Sequence, residues 1–283
     1  MKVVISPNLT REHAYETMMN LCTMLDSIGI DYCFFKETVS EISLPDKKIV
    51  TRNELTDVDI LIAIGGDGTM IRASQVALPL DIPILGINAG RLAYLVGLES
   101  DELHLFKNLL NGDYYTEERL VLQIDVFDNN ENHVCSEFCI NEVVFARGAE
   151  IRLTSLDLYC DNRFINRYNA DGLIIATPTG STAYNLAAGG PIVDPRIESI
   201  ILSPICPHSL VERTAIFSSD SAFEVVNPDS SSHTLLSCDG RSSIHFGYKY
   251  KAYIKKSDMK VKFIRLKDDT FMETLHKKMK TIR

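Results

Sequence analysis

The sequence predicts an α/β domain followed by a mostly β domain, and three observations carry that expectation. Apolar runs such as "VDILIAI" and "IPILGIN" are continuous rather than alternating, as in strands buried on both faces of a parallel sheet. Over the first 116 residues such runs alternate with segments of helical periodicity. Beyond that point short strand-like stretches succeed one another with only turns between them.

Taken in order, "KVVISP" reads as a short buried strand. Ala14, Met18, Leu21, Leu25 and Ile28 then recur at helical spacing, and Gly29 is a natural stop for that helix. "DYCFFK" is the next strand, "VDILIAI" a buried one, "TMIRASQVAL" a helix and "IPILGIN" another buried strand. Ser100, Asp101 and Glu102 are placed to cap a helix running to Leu110 and ending at Gly112, with the acidic pair at the positive end of its dipole. Then the texture changes. "LVLQIDVF", "FCINEVVF", "IRLTSLDLYC", "RFINRY", "FEVV", "HTLLSC", "YKYKAYIKK" and "KVKFIRL" all read as strands, and "FMETLHKKMK" closes the chain as an amphipathic helix. The expected division is residues 1–116, with 266–283 returning to them, and a β-rich domain at 117–265. A chain of 283 residues suits two domains.

Composition narrows the function. Hydrophobic residues at 45% and charged residues at 24% are those of a folded globular chain. The formal net charge of −9 argues against nucleic acid and anionic membranes as partners, since both are bound mainly through clustered Lys and Arg. A small anionic ligand would need donors placed locally. The start "MKVVISPNLT" is too short an apolar run for a signal peptide, and no stretch approaches the length of a membrane span, so a cytoplasmic location is expected. Seven scattered cysteines without a CxxC pair suit reduced thiols, and His133, Cys135 and Cys139 in one strand-like segment read as ordinary side chains rather than a zinc site.

The chemistry concentrates in two glycine turns. "GGDGT", residues 65 to 69, follows a buried strand and precedes a helix, at the carboxyl edge where open α/β sheets bind ligands and where helix N–H groups favour phosphate. No GxxxxGK[ST] occurs, and the third glycine of GxGxxG is missing. By itself Asp67 reads as a turn residue capping the helix. A second cluster, "NADGLIIATPTGSTAYNLAAGGPI", repeats the order of Asp-Gly, buried strand, glycine turn and helix, and its Ser181, Thr182 and Tyr184 offer hydroxyl donors. Two such turns in one chain point to a ligand site.

GGDGT, Asn141-Glu142, "DGLIIATPTGSTAYNLAAGGPI", "CPHSL" and "CDG", in that order, resemble the ATP-dependent NAD kinase family of bacterial type over nearly the whole chain. GGDGT alone is shared with lipid kinases and 6-phosphofructokinases, so the long second motif carries the resemblance. It implies a doubly wound, Rossmann-like or phosphofructokinase-like parallel sheet followed by a β-sandwich-like domain. The implied reaction moves the γ-phosphoryl of ATP to the 2′-hydroxyl of the adenosine ribose of NAD, giving NADP, with Asp67 as general base.

The same resemblance sets Gly66, Gly68 and Thr69 against the donor phosphates or the NAD pyrophosphate. Arg72 binds phosphate or lies on a solvated helix face. Asn141 and Glu142 hold ribose hydroxyls and adenine, and Asp171 the nicotinamide end. Thr182, Ala183, Tyr184, Asn185 and Ala187 form a dinucleotide-contacting segment, with Tyr184 offering an aromatic face. Arg152 and Asn169 match positions that in the family touch NAD, from the same or a neighbouring subunit, and Arg241 stands where relatives vary. His208 is expected to be a buried, hydrogen-bonded histidine. The partners implied are NAD and ATP, or polyphosphate, with Mg²⁺ held mostly by phosphate oxygens and water and by no assigned protein ligand, in a homodimer or homotetramer. Ala93, Tyr94 and Ala188 depart from the residues usual in the family. A lipid kinase of the same superfamily would not need the TPTGSTAY segment, and a non-catalytic dinucleotide sensor would have no need of Asp67.

Overall fold

A computed structural model of the chain describes residues 1–39, 49–55, 57–90, 93–149, 152–209, 211–231, 233–241, 243–268 and 270–281. The chain divides into two units, Met1–Glu118 with Val261–Arg283, and Arg119–Lys260.

The first unit begins with β1 (Lys2–Pro7), α1 (Ala14–Ser27), β2 (Asp31–Phe35), α2 (Lys36–Val39) and β3 (Ile49–Val50). It continues with β4 (Ile60–Gly65), α3 (Asp67–Ala77), β5 (Ile84–Asn88), α4 (Phe106–Asn111) and β6 (Tyr115–Arg119). The last pieces are β19 (Val261–Arg265) and α6 (Phe271–Thr281). Among the described residues these strands form one sheet in the order β3-β2-β1-β4-β5-β19-β6. Its β1–β2, β2–β3, β1–β4, β4–β5 and β5–β19 pairs are all parallel. β4, "ILIAIG", is buried at every position, so it could only be a run of apolar residues and glycine. α1 turns Ala14, Met18, Leu21, Cys22 and Leu25 onto β1, β2 and β4, forming the core of this unit. Ile28, expected on that face, lies beyond the helix and is 44% exposed.

The second unit holds β7 (Leu122–Phe127), β8 (His133–Cys139), β9 (Glu142–Arg147), β10 (Thr154–Cys160), β11 (Arg163–Ala170) and β12 (Gly172–Ala176). After α5 (Tyr184–Ala187) come β13 (Ser199–Ile205), β14 (Ala215–Ser218), β15 (Phe223–Val226), β16 (Thr234–Cys238), β17 (Ile244–Phe246) and β18 (Lys251–Lys256). Two antiparallel sheets, β11-β10-β15-β18-β7-β8 and β14-β13-β12-β9-β16-β17, share one core. Leu122, Ile124 and Val126 point inward from the first sheet, and Val143, Phe145, Leu173 and Ile175 from the second. This is the expected sandwich. The outer face of the second sheet is covered as well, by Val193 and Ala188 packing on Val144, Ile174, Ala176 and Ile201. That is why β9 and β12 read as continuous apolar runs rather than alternating ones.

Three local expectations are corrected. "KVKFIRL" was expected in the β-rich domain, yet β19 pairs with β5 in the parallel sheet through Phe263 and Ile84, since both of its faces are apolar enough to be buried there. "FCINEVVF" is two strands: the chain leaves β8 in one sheet and enters β9 in the other, with Ile140 and Asn141 as the crossing. The helix predicted from residue 100 is a 3-10 turn at Leu103–Leu105 followed by the short α4, which ends on left-handed Gly112 as expected. No side chain caps either piece, because the Glu102 carboxylate turns back to accept the Glu99 N–H at 2.9 Å.

Candidate active site

In the first unit the chain runs from β1 to β2 on one side and later crosses back over β1 to enter β4, so the strand order reverses between β1 and β4. A crevice opens at the carboxyl ends of two such strands. The Asn8 N–H donates to the Ile64 carbonyl at 2.8 Å and closes its floor. Above it lies a cleft of about 920 Å³, lined by residues from the end of β1 and the segment after it, from the end of β2, from α2 and from α3.

GGDGT reaches this cleft through Thr69, and its three glycines do different work. A Cβ on Gly65 would stand 2.2 Å from the Thr69 hydroxyl, so Gly65 makes room for the protein's own threonine. Gly66 and Gly68 have nothing within 4 Å of where a Cβ would be, and it is these two that present bare backbone. Asp67 is the first residue of α3, with Gly66 as N-cap. Its Oδ1 accepts the N–H groups of Tyr94 at 2.7 Å and Leu95 at 2.8 Å, which fixes the carboxylate against the segment after β5. Burial raises the Tyr94 phenol above its ordinary range, and the nearby Asp67 charge adds to the rise. Thr69 is buried, and its hydroxyl accepts Asn8 Nδ2 at 3.2 Å and Arg72 Nη2 at 3.5 Å.

In the second unit the Asn141-Glu142 turn is held from three sides. Asp239, at φ 51°, directs its carboxylate onto the N–H groups of Ile140, Asn141 and Glu142 at 2.8–3.3 Å. The Thr177 N–H donates to the Asn141 carbonyl at 2.8 Å, and the Thr177 hydroxyl to the Ile140 carbonyl. Gly180 presses on Asn141 so closely that a Cβ would sit 2.1 Å from its carbonyl oxygen. Glu142 is 6% exposed on an internal strand, and its Oε2 meets no hydrogen-bond partner among the described residues. Burial above all, and then the Asp239 charge, raise its carboxyl to about 8. Asp239 itself is raised by burial, against the pull of the three N–H groups it accepts. A buried, protonatable carboxyl with an unfilled oxygen is suited to a neutral hydroxyl or amino group of a ligand.

The remaining expected residues separate into two groups. Tyr184 is 44% exposed, so its ring is open to a ligand rather than packed in a core. Thr182 and Ala183 are half-buried beside it, and Ala187, Asn169 and Arg152 are exposed. The Asp171 carboxylate accepts Arg147 Nε at 2.9 Å, a partner that sequence reasoning missed. Asn185 stands apart: its side chain is fully buried, donating to the carbonyls of Ser181 and Pro191 and accepting the Ser203 hydroxyl at 2.6 Å. It pins the 178–193 segment onto β13, so the expected ligand contact is corrected to a brace. Ser181 is likewise locked inside, exchanging hydrogen bonds with Val193, and offers no hydroxyl to solvent.

The helix expected after the second glycine turn is a 3-10 turn at Thr179–Thr182 and the single turn α5, too short to act on phosphate as a helix dipole. Arg241 donates to Cys238 O, Glu137 Oε2 and Phe138 O, clamping β16 to β8 rather than facing solvent. His208 is exposed, against expectation, and it is its backbone N–H that pairs, with Asn169 O. Arg91, Leu92, Ile151 and Leu210 lie outside the described residues. Missed as well were Asn8, Thr10 and Arg11, although "NLTR" directly after a buried strand marks the end of a sheet where ligands bind. Among the described residues no three His, Cys, Asp or Glu side chains stand together as a metal cage, and no helix is long and apolar enough to cross a membrane.

The chain matches the ATP-NAD kinase N-terminal domain over residues 3–114 and the ATP-NAD kinase C-terminal domain over residues 140–266. It is 33% identical over 280 residues to an NAD kinase of Caldanaerobacter subterraneus subsp. tengcongensis, covering 98% of both chains. It is 34% identical over 274 residues to an NAD kinase of Moorella thermoacetica, covering 96% of this chain and 87% of that one. Its fold is similar to yeast NADH kinase complexed with NADH, with a TM-score of 0.89 over 99% of this chain and 87% of the other at 24% identity. An NAD kinase from Archaeoglobus fulgidus in complex with ATP gives a TM-score of 0.75 over the full length of both chains at 23% identity. With relatives this similar over their whole length, and with both family domains matched in order, the chain belongs to the NAD kinase family.

Proposed function

We propose that the protein phosphorylates NAD at the 2′-hydroxyl of its adenosine ribose, with ATP as donor. The observation that carries this reading is Asp67, held by two backbone N–H groups beside two glycines whose α-carbons face open space. A ribose hydroxyl is a weak nucleophile, and a fixed carboxylate can orient it and accept its proton. The hydroxyl oxygen forms a bond to the γ-phosphorus, the bond from that phosphorus to the β–γ bridging oxygen breaks, ADP leaves and NADP remains. The proton passes to Asp67. Gly66 and Gly68 let the reacting groups approach the backbone, and Thr69 and Arg72 supply a hydroxyl and a charge for phosphate.

The second unit would bind the dinucleotide. Asn141 and Glu142 suit the adenosine ribose and base, Asp171 the nicotinamide end, and Tyr184 with Thr182 and Ala183 a stacking edge, flanked by Arg152 and Asn169. A divalent cation, Mg²⁺ in the simplest case, would arrive with the triphosphate, ligated by phosphate oxygens and water, and would offset charge as the phosphoryl group moves. No step is assigned to a protein-held ion. A cytoplasmic homodimer or homotetramer completes the reading. The test is a coupled assay for NADP made from NAD, ATP and Mg²⁺ by purified protein, beside Asp67→Asn. NADP from the wild type and its collapse in the variant support the assignment; wild-type protein that makes none refutes it.

A further inference from the structure

We infer that Arg265, on the strand β19 that returns from the far end of the chain, is a positioning residue for Asp67 and acts through the backbone of Tyr94, Leu95 and Val96. The catalytic meaning of Asp67 rests on the kinase reading above; the linkage itself rests on hydrogen bonds and close contacts within the first unit. Leu95 is held at both ends, since its N–H donates to Asp67 Oδ1 at 2.8 Å and its carbonyl accepts Arg265 Nη1 at 3.0 Å. The residues on either side repeat this division. The Tyr94 N–H donates to the same Asp67 oxygen at 2.7 Å, and the Val96 carbonyl accepts the same Nη1 at 2.9 Å. Asp67 thus takes the N–H groups of one short segment and Arg265 its carbonyls.

Arg265 is itself fixed. Its Nε and Nη2 both lie 2.7 Å from Oε2 of Glu117 on β6, its side chain is 11% exposed, and its guanidinium lies 5.7 Å from the centre of the Phe263 ring. One planar guanidinium serves a carboxylate and two carbonyls at once, which a lysine ammonium cannot do in the same geometry. Two glycines close the segment in from the other sides. A Cβ on Gly97 would stand 2.9 Å from the Ile264 carbonyl oxygen, and one on Gly86 would stand 2.9 Å from the Val96 Cα. The N–H groups of Gly97 and Leu98 also donate to the Gly86 carbonyl, at 3.0 and 3.1 Å, so the segment is seated tightly between β5 and β19. Proton transfer depends on placement, and an error of about 1 Å can cost on the order of a hundredfold in rate. The returning strand therefore gives the carboxylate a rigid backing, although Arg265 belongs to none of the motifs that surround the site.

The experiment is a double-mutant cycle on the full chain, Arg265→Met with and without Asp67→Asn, read by initial rates and by hydrogen exchange at the Tyr94 and Leu95 amides. In the wild-type background Arg265→Met should lower kcat by roughly tenfold to a hundredfold, with the KM values for NAD and ATP changed less than about twofold. In the Asp67→Asn background the same substitution should lower kcat by less than about twofold, because the group it positions no longer accepts the proton. Exchange at the two amides should accelerate by about tenfold or more. The same loss of kcat in both backgrounds, a rise in KM matching the fall in kcat, or wild-type protection at both amides overturns the assignment. Should Arg265→Met fail to fold, Arg265→Lys keeps the charge without the fork and carries the same comparison with a loss of about threefold to tenfold. Hydrogen exchange needs no turnover, so a wild type that makes no NADP refutes the kinase reading alone; accelerated exchange then still supports the linkage and unchanged exchange overturns it.

Discussion

Asp67 and Glu142 show how the same functional group takes different duties from its surroundings. Asp67 accepts two backbone N–H groups at a helix start, an arrangement that holds a carboxylate in one orientation. Asp67→Asn keeps the size and removes the proton acceptor, so kcat should fall by about 10² to 10⁴ with NAD affinity little changed; turnover near the wild-type value would take Asp67 out of the chemistry. Glu142 is buried and its carboxyl is raised from 4.5 to about 8. Between those values the folded protein binds a proton that the unfolded chain has released. Stability from this group is therefore full below about pH 4.5 and is lost as pH rises through about 8. In ligand-free protein Glu142→Gln should flatten that decline, read as melting temperatures at about pH 5 and about pH 9; parallel curves for the two proteins would contradict the buried, protonated carboxyl.

At the scale of elements, the Asn141-Glu142 turn exists because two segments far apart in the sequence, one after β12 and one after β16, converge on it. Asp239 after β16 satisfies three N–H groups, Thr177 after β12 binds two carbonyls, and Gly180 supplies the space for contact. Gly180→Ala should push a methyl group into the Asn141 carbonyl, costing about 1–3 kcal/mol and raising the KM for NAD more than that for ATP. Denaturant titration together with initial-rate kinetics would show whether the two losses occur together. Asp239→Ala should cost more, because three buried donors lose their acceptor at about 1–3 kcal/mol each before water or local movement compensates. A loss below about 1 kcal/mol would mean that the turn holds itself. β4 and β12 were legible as buried strands from their unbroken apolar runs, and GGDGT as a ligand turn from the strand before it. The break between β8 and β9 was not legible, since Ile140 and Asn141 differ little from strand residues and only the two sheets require the crossing.

For the whole molecule, each unit carries its own core, one around β1, β2, β4 and α1 and the other between two antiparallel sheets. Thermal unfolding should then depart from a single two-state transition, with a calorimetric enthalpy larger than the van't Hoff enthalpy; equality of the two would make the chain one cooperative unit. Against the net charge of −9 of the whole chain, the charged residues described in the lining of the first-unit cleft are Arg11, Arg72 and Glu37.

The sequence by itself determined the family, the two-part architecture, the proposed base and the order of the motifs, because these depend on local periodicity and on residue types that follow one another along the chain. Only the tertiary structure decided which glycine makes room for the protein's own threonine and which faces open space, that Asn185, Ser181 and Arg241 are braces, and that Asn8, Thr10 and Arg11 line a cleft together with Thr69 and Arg72. Burial and hydrogen-bond satisfaction belong to groups that meet in space, and residues such as Asn8 and Thr69 or Asn141 and Gly180 meet only after the sheets have formed.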